Sequence, residues 1–211
     1  MKTAIIIGAT GLIGTELTKQ LLKDSRYSVI LLLGRNKTVL DHPKLKHVAL
    51  DFDHPDASMI KGDELFCCLG TTIKTAGSKE VFYKVDHDYV VNTATLARHN
   101  GIARIAVVSA MGADSNSSVF YTKTKGDMEL AVSALAFEAC YIVRPSMLLG
   151  NRKEFRLGET IGKWIMIPFS FLIPKKYKAI KDSQVAKSMI HFMNSSLKGN
   201  HFIENDTMLN L

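Results

Sequence analysis

The sequence predicts a doubly wound α/β fold, a single parallel sheet with helices on both sides. Three observations lead there. Short, nearly continuous apolar runs rich in β-branched residues recur along the chain, apolar stripes at helical spacing lie between several of them, and no Pro/Gly/Ser-rich linker or internal repeat divides the 211 residues. Runs of that kind mark strands buried on both faces, and their alternation with helices calls for parallel strands joined by crossover connections.

The elements follow in order. Thr3 to Ile7 forms the first strand, and Ile13, Leu17 and Leu21, apolar every fourth residue, form the helix after it. Val29 to Leu33, His47 to Leu50 and Leu65 to Leu69 give the next three strands. Val81, Phe82, Val85, Tyr89, Val90 and Ala94 make one helical stripe; Ile105 to Val108 and Tyr141 to Val143 are the fifth and sixth strands, and the polar stretch Asp114 to Ser118 is loop-sized. Beyond the sixth strand about 60 residues remain, too few for a second domain. Residues 146–182 are therefore read as a small C-terminal substrate cap on one domain spanning 1–211, followed by a helix carrying Val185, Met189 and Met193 with Ala186 and Ile190 beside them.

Composition narrows the class. Hydrophobic residues at 46% and charged residues at 22% exclude a disordered, collagen-like or disulfide-stapled chain. Cys67 and Cys68 are adjacent and Cys140 stands alone, so no Cys-x-x-Cys pair exists and the three read as small core residues. The seven histidines show no ligand spacing, so no metal site is expected. The longest apolar stretch, Ile161 to Ile173, is interrupted by Gly162, Lys163, Pro168 and Ser170 and falls short of the ~20 apolar residues that span a bilayer. The amino terminus enters its first strand within three residues, which leaves no room for a secretory leader and points to the cytoplasm.

Between the first strand and first helix stands Gly8-Ala9-Thr10-Gly11-Leu12-Ile13-Gly14. In that context small residues let the backbone approach a pyrophosphate, the helix amino terminus offers unpaired N–H groups, and Gly14 permits close helix-on-strand packing. This is the pattern of a dinucleotide-binding Rossmann fold. After the second strand, where a carboxylate would hold the ribose hydroxyl of NAD, the chain has Gly34-Arg35-Asn36-Lys37 and no acid. The guanidinium fork suits a 2′-phosphate, so NADP(H) is expected over NAD(H).

Tyr121 and Lys125 lie four apart at the start of a predicted helix and so share a face. An ammonium beside a phenol favours the phenolate and equips it for proton transfer. Ser109, twelve residues upstream, ends the fifth strand, where open α/β sheets bind ligands.

With these motifs the chain resembles the short-chain dehydrogenase/reductases, and within them the small atypical branch of Tat-interacting-protein-like oxidoreductases and their bacterial relatives. The resemblance runs through the glycine turn, Gly34-Arg35, Asp51-Phe52, Phe66-Cys67-Cys68-Leu69-Gly70-Thr71-Thr72, Val85-Asp86 with Asp88-Tyr89-Val90, Tyr121 to Gly126, and Arg144-Pro145, over about residues 1 to 156. It implies an NADP(H) site lined by Thr10, Gly11, Leu12, Ile13, Arg35, Asn36, Leu69, Gly70, Lys125, Leu148 and Arg156, with Asp51 also assigned to it and Tyr121 as proton donor and acceptor. Where relatives often carry two adjacent serines after the fifth strand, this chain has Ser109-Ala110.

The expected function is hydride transfer to or from a small carbonyl or alcohol, Tyr121 moving the proton and Lys125 positioning the nicotinamide ribose. A sensor or adaptor that binds NADP(H) without turnover is the alternative, and an epimerase that retains its cofactor is a third. The formal charge of +7 is concentrated: residues 144–187 hold ten Lys/Arg against three acids, leaving 17 of each elsewhere. No nucleic-acid signature accompanies it. The basic segment is read as attracting an anionic substrate, an acidic partner or a lipid head group. The apolar run 164–174 within it is read as a cleft wall or a homo-oligomer contact.

Overall fold

In a computed structural model of the chain, the residues described are 1–35, 38–149 and 174–211. Among them a seven-stranded parallel sheet runs in the order β3-β2-β1-β4-β5-β6-β9, where β1 is Lys2–Ile7, β2 Tyr27–Gly34, β3 Leu45–Ala49, β4 Glu64–Cys67, β5 Arg104–Val108, β6 Ala139–Arg144 and β9 Gly199–Glu204. Residues Leu148–Leu149 (β7) and Ile180–Lys181 (β8) form a separate two-stranded parallel ladder.

Two apolar layers flank the sheet, as alternation along a strand requires. On one side Ala4 and Ile6 of β1 meet Ile13, Leu17 and Leu21 of α1 (Leu12–Lys23) and Val185, Met189 and Met193 of α6 (Asp182–Met193). On the other, Ile5 and Ile7 meet Val90, Ala94 and Ala97 of α4 (Tyr89–His99) and Met128 and Val132 of α5 (Phe120–Ser133). Cys67 and Cys140 are buried free thiols within the second layer.

The structure corrects three expectations. The third strand is not buried on both faces: among the described residues β3 pairs with β2 alone, and its residues are half-buried or exposed. After a short α2 (Ile73–Ala76), the stripe from Val81 to Ala94 is not one helix but α3 (Lys79–Tyr83), a π-turn over Lys84–Asp88 and then α4, and Val81 is exposed while Phe82 is buried. The chain after 182 completes the sheet as well as covering it, because α6 leads into β9 beside β6, and α7 (Asn205–Leu209) follows. Of the cap, residues 150–173 lie outside the described residues; its two ends are joined by the β7–β8 ladder and by Ile180 N–H donating to the Met147 carbonyl at 3.0 Å.

Candidate functional site

The carboxyl ends of β1, β4, β5 and β6 converge on two adjoining clefts. At their junction lies the glycine turn. Gly8 has φ +77°, and a side chain there would run into the Cys68 carbonyl, so the turn presses against the end of β4. A Cβ on Gly14 would lie 2.8 Å from the Ala9 Cα and closer still to the Gly8 carbonyl, so only glycine lets α1 start this near β1. Gly11 caps α1 with no side-chain hydrogen bond, and the first turn holds no acid. The leading N–H groups and positive helix end therefore remain available to an anion, and the close backbone cradle fits a dinucleotide pyrophosphate.

The first cleft runs from this turn across β2 and β3. Thr10, Arg35 and Leu69 line it, and Phe52 and Tyr89 form an aromatic wall, their rings stacked at 5.3 Å and 25°. The Tyr89 hydroxyl donates to Asp53 Oδ1 at 2.8 Å, which fixes that ring. Asp51 is exposed and accepts the Asp53 N–H at 2.9 Å, so its carboxylate is occupied with its own turn while Phe52 beside it lines the cleft. Asn36 and Arg156, both expected here, lie outside the described residues.

The second cleft brings together Gly11, Leu12, Ile13, Gly70, Ser109, Tyr121, Lys125 and Leu148. Tyr121 stands in the first turn of α5 with its ring against Phe82, centroids 5.7 Å apart. Lys125 is one turn further on and almost wholly buried, and its Nζ lies 2.7 Å from Asp86 Oδ1, itself 1% exposed. Asp86 Oδ2 accepts the Thr71 N–H at 2.8 Å. One carboxylate thus ties α5 to the loop after β4. The π-turn carries it, and such turns in a helix commonly mark functional sites. A Cβ on Gly70 would lie 3.4 Å from Asp86 Oδ1 and 4.0 Å from Lys125 Nζ, so glycine there leaves the ion pair open to the cleft. The partner of Lys125 is Asp86; no hydrogen bond joins it to Tyr121 among the described residues.

Ser109 is 5% exposed and lines the same cleft, and its Oγ has no hydrogen-bond partner among the described residues. A buried hydroxyl without a partner costs free energy unless something supplies one, so this orphan fits a ligand oxygen. Gly126 keeps α5 in place: its Cα hydrogen faces the Asp114 and Ser115 backbone, where a methyl group would overlap.

The wall opposite is built by Pro145 to Leu148. The fully buried Asn205 accepts the Ser146 N–H at 3.0 Å and donates to the Lys178 carbonyl at 2.8 Å, while Ser146 Oγ donates to that carbonyl at 2.5 Å. The exposed turn Lys175–Tyr177 and Lys178 are thereby anchored to the cleft wall. Arg144, counted in the basic segment, is neutralised by Glu129 and Glu204 at 2.5 and 3.0 Å, and the Glu129 hydrogen bond raises its pKa further.

Sequence reasoning quoted Asp86, Phe52 and Tyr89 without giving them roles. The available signal was Lys125 itself: a lysine on the buried side of a helix needs a carboxylate, and Asp86 is among the acids of the shared motifs.

A family model for NAD(P)H-binding proteins matches residues 8–161. The chain is 33% identical to protein HTATIP2 of Rattus norvegicus over 220 residues, covering 100% of this chain and 89% of that protein. It is 30% identical to the mitochondrial protein FMP52 of Candida albicans over 209 residues, covering 93% and 90%. Among solved structures, MoeE5 in complex with UDP-glucose and NAD superposes with a TM-score of 0.74 at 14% identity, covering 99% of this chain and 80% of that one. A UDP-N-acetylglucosamine 4-epimerase from Methanobrevibacter ruminantium M1 gives 0.71 at 16%, covering 96% and 76%. At such identity these two establish the shared fold.

Proposed function

The chain belongs to the NAD(P)H-binding family, an oxidoreductase-like group with the Rossmann fold, and from that premise we propose that it is an NADP(H)-dependent oxidoreductase acting on a small carbonyl or alcohol. The observation that carries this reading is the meeting of Tyr121, the buried Lys125–Asp86 pair and the orphaned Ser109 hydroxyl in one cleft beside the glycine turn. A bound nicotinamide supplies the hydride or accepts it.

The protein's own groups do the rest. The glycine turn and the α1 amino terminus hold the pyrophosphate, Phe52 and Tyr89 take the adenine, and Arg35 pairs with the 2′-phosphate. Lys125, kept in place by Asp86, holds the nicotinamide ribose hydroxyls. Ser109 donates to the substrate oxygen, and Tyr121 gives that oxygen its proton during reduction or removes it during oxidation. Buried apolar neighbours thin the water around these groups and strengthen each contact.

The substrate we infer is anionic. Support comes from the exposed Lys175 and Lys176 and the half-buried Lys178, anchored through Asn205 and Ser146 to the cleft wall.

NADPH oxidation measured against a panel of aldehydes and ketones tests the proposal, with Tyr121→Phe as the control. Turnover of one carbonyl that falls by at least about 100-fold in the variant is expected. Turnover unaffected by the substitution removes Tyr121 from the mechanism. NADPH binding with no turnover across the panel favours a sensor over an enzyme.

A further inference from the structure

On the reading that NADP(H) is the cofactor, we propose that His47 is a second recognition residue for the adenosine 2′-phosphate, working beside Arg35 to set the preference over NAD(H). His47 lies on the edge strand β3, opposite Leu32 in the register, and Ala49 lies opposite Gly34, the residue before Arg35. The pairing brings the imidazole to the same cleft that Arg35 and Thr10 line. Arg35 and His47 are the basic side chains among the described residues of that cleft, and none of those lining residues carries a carboxylate.

A cleft walled by aromatic and aliphatic groups, with two nitrogen-rich side chains and no acid, is built for an adenine with an extra anionic group. An adenosine without the phosphate offers the pair hydroxyl oxygens but no negative charge, so the charge-assisted bonds are lost. His47 is half-buried, and among the described residues its side-chain hydrogen-bond partner is the distant Thr38 hydroxyl, 3.4 Å from Nε2. At that length the contact is weak, so a ring N–H remains for a phosphate oxygen. Thr38 belongs to the connection from β2 to β3 that also carries Arg35.

The probes are 2′,5′-ADP and 5′-ADP, which differ by the phosphate in question and undergo no hydride chemistry, together with NADPH and NADH. Binding to the 211-residue chain is measured by calorimetry for the wild type, His47→Gln, His47→Lys and Arg35→Ala. His47→Gln is expected to weaken 2′,5′-ADP and NADPH about five- to tenfold while moving 5′-ADP and NADH less than about twofold, and His47→Lys is expected to restore the discrimination. A merely structural histidine would shift all four ligands together, and that outcome overturns the proposal, as does an unchanged 2′,5′-ADP affinity while Arg35→Ala loses it. If the wild type binds 2′,5′-ADP and 5′-ADP equally and Arg35→Ala changes neither, the NADP reading itself is wrong and this assignment falls with it.

Discussion

Replacing Asp86 by alanine should be among the most damaging single changes near the second cleft. The substitution leaves the Lys125 ammonium, 5% exposed along its side chain, without the carboxylate 2.7 Å away, and leaves the Thr71 N–H without its acceptor. Removing one partner of a buried pair costs about 3–5 kcal/mol, and an unsatisfied N–H adds about 1–3 kcal/mol. The cleft admits water on one side, so the lower end of the combined range, about 4–5 kcal/mol, is the expected loss. Against a total stability of about 5–15 kcal/mol the variant should fold but unfold at markedly lower urea. The companion experiment is Lys125→Met, alone and combined with Asp86→Ala. Once the ammonium is gone the missing carboxylate should cost only the orphaned Thr71 N–H, so the double variant should lie about 2–3 kcal/mol above additivity. Urea denaturation at pH 7 with a common slope measures all three differences. A loss below about 1 kcal/mol for Asp86→Ala, or strict additivity, would refute the claim that this pair holds α5 to the loop after β4.

Other consequences can be measured on the same protein. Gly8→Ala forces a side chain into the left-handed region at φ +77° and against the Cys68 carbonyl; a stability loss above about 2 kcal/mol and loss of NADPH binding are expected, and a titration showing wild-type affinity would contradict the cradle. Burial, and secondarily the charge of Glu129, push the Cys140 thiol up to about 12 from 9.0. In the folded state it stays neutral while the unfolded chain ionises, so its stabilising effect is intact below pH 9 and declines between 9 and about 12, by about 1.4 kcal/mol per pH unit. Urea unfolding at successive pH values should accordingly show a shallower alkaline decline in Cys140→Ala; parallel slopes would rule this out. Reversing Lys175, Lys176 and Lys178 to glutamate should raise KM for an anionic substrate at low salt and leave kcat nearly constant, with the difference shrinking as ionic strength rises. A KM independent of salt in both proteins would make the lysines a solvated surface only.

Much of this architecture is legible in the residues. The six apolar runs become strands to within two residues at each end, because apolar β-branched segments between helices have few other ways to be buried. The seventh strand, Gly199-Asn200-His201-Phe202-Ile203-Glu204, was invisible for the opposite reason: it is an edge strand, carries polar residues on its open side and shows no apolar run. The π-turn escaped because an extra residue in a helical turn leaves the apolar composition unchanged and alters only its phase. Tyr121, Lys125 and Ser109 were recoverable from local spacing. Asp86 meets Lys125 across 39 positions, and His47 comes to line the cleft of Arg35 only through strand register, so neither juxtaposition has a signature in a contiguous window.

The packing of α1 against α6 has a consequence for how the protein comes to exist. Gln20 donates to the Ser183 carbonyl across 163 positions, and the Ile13, Leu17 and Leu21 stripe shares its hydrophobic layer with Val185, Met189 and Met193. The dinucleotide turn is thus made first and braced last. A nascent chain lacking its final 30 or so residues has the glycine motif in full yet presents the apolar flank of α1 to solvent, with long loop closure still ahead. Affinity for a dinucleotide then becomes a report on whether those last 30 or so residues have been added, and bound nucleotide selectively stabilises chains that carry them over chains that do not.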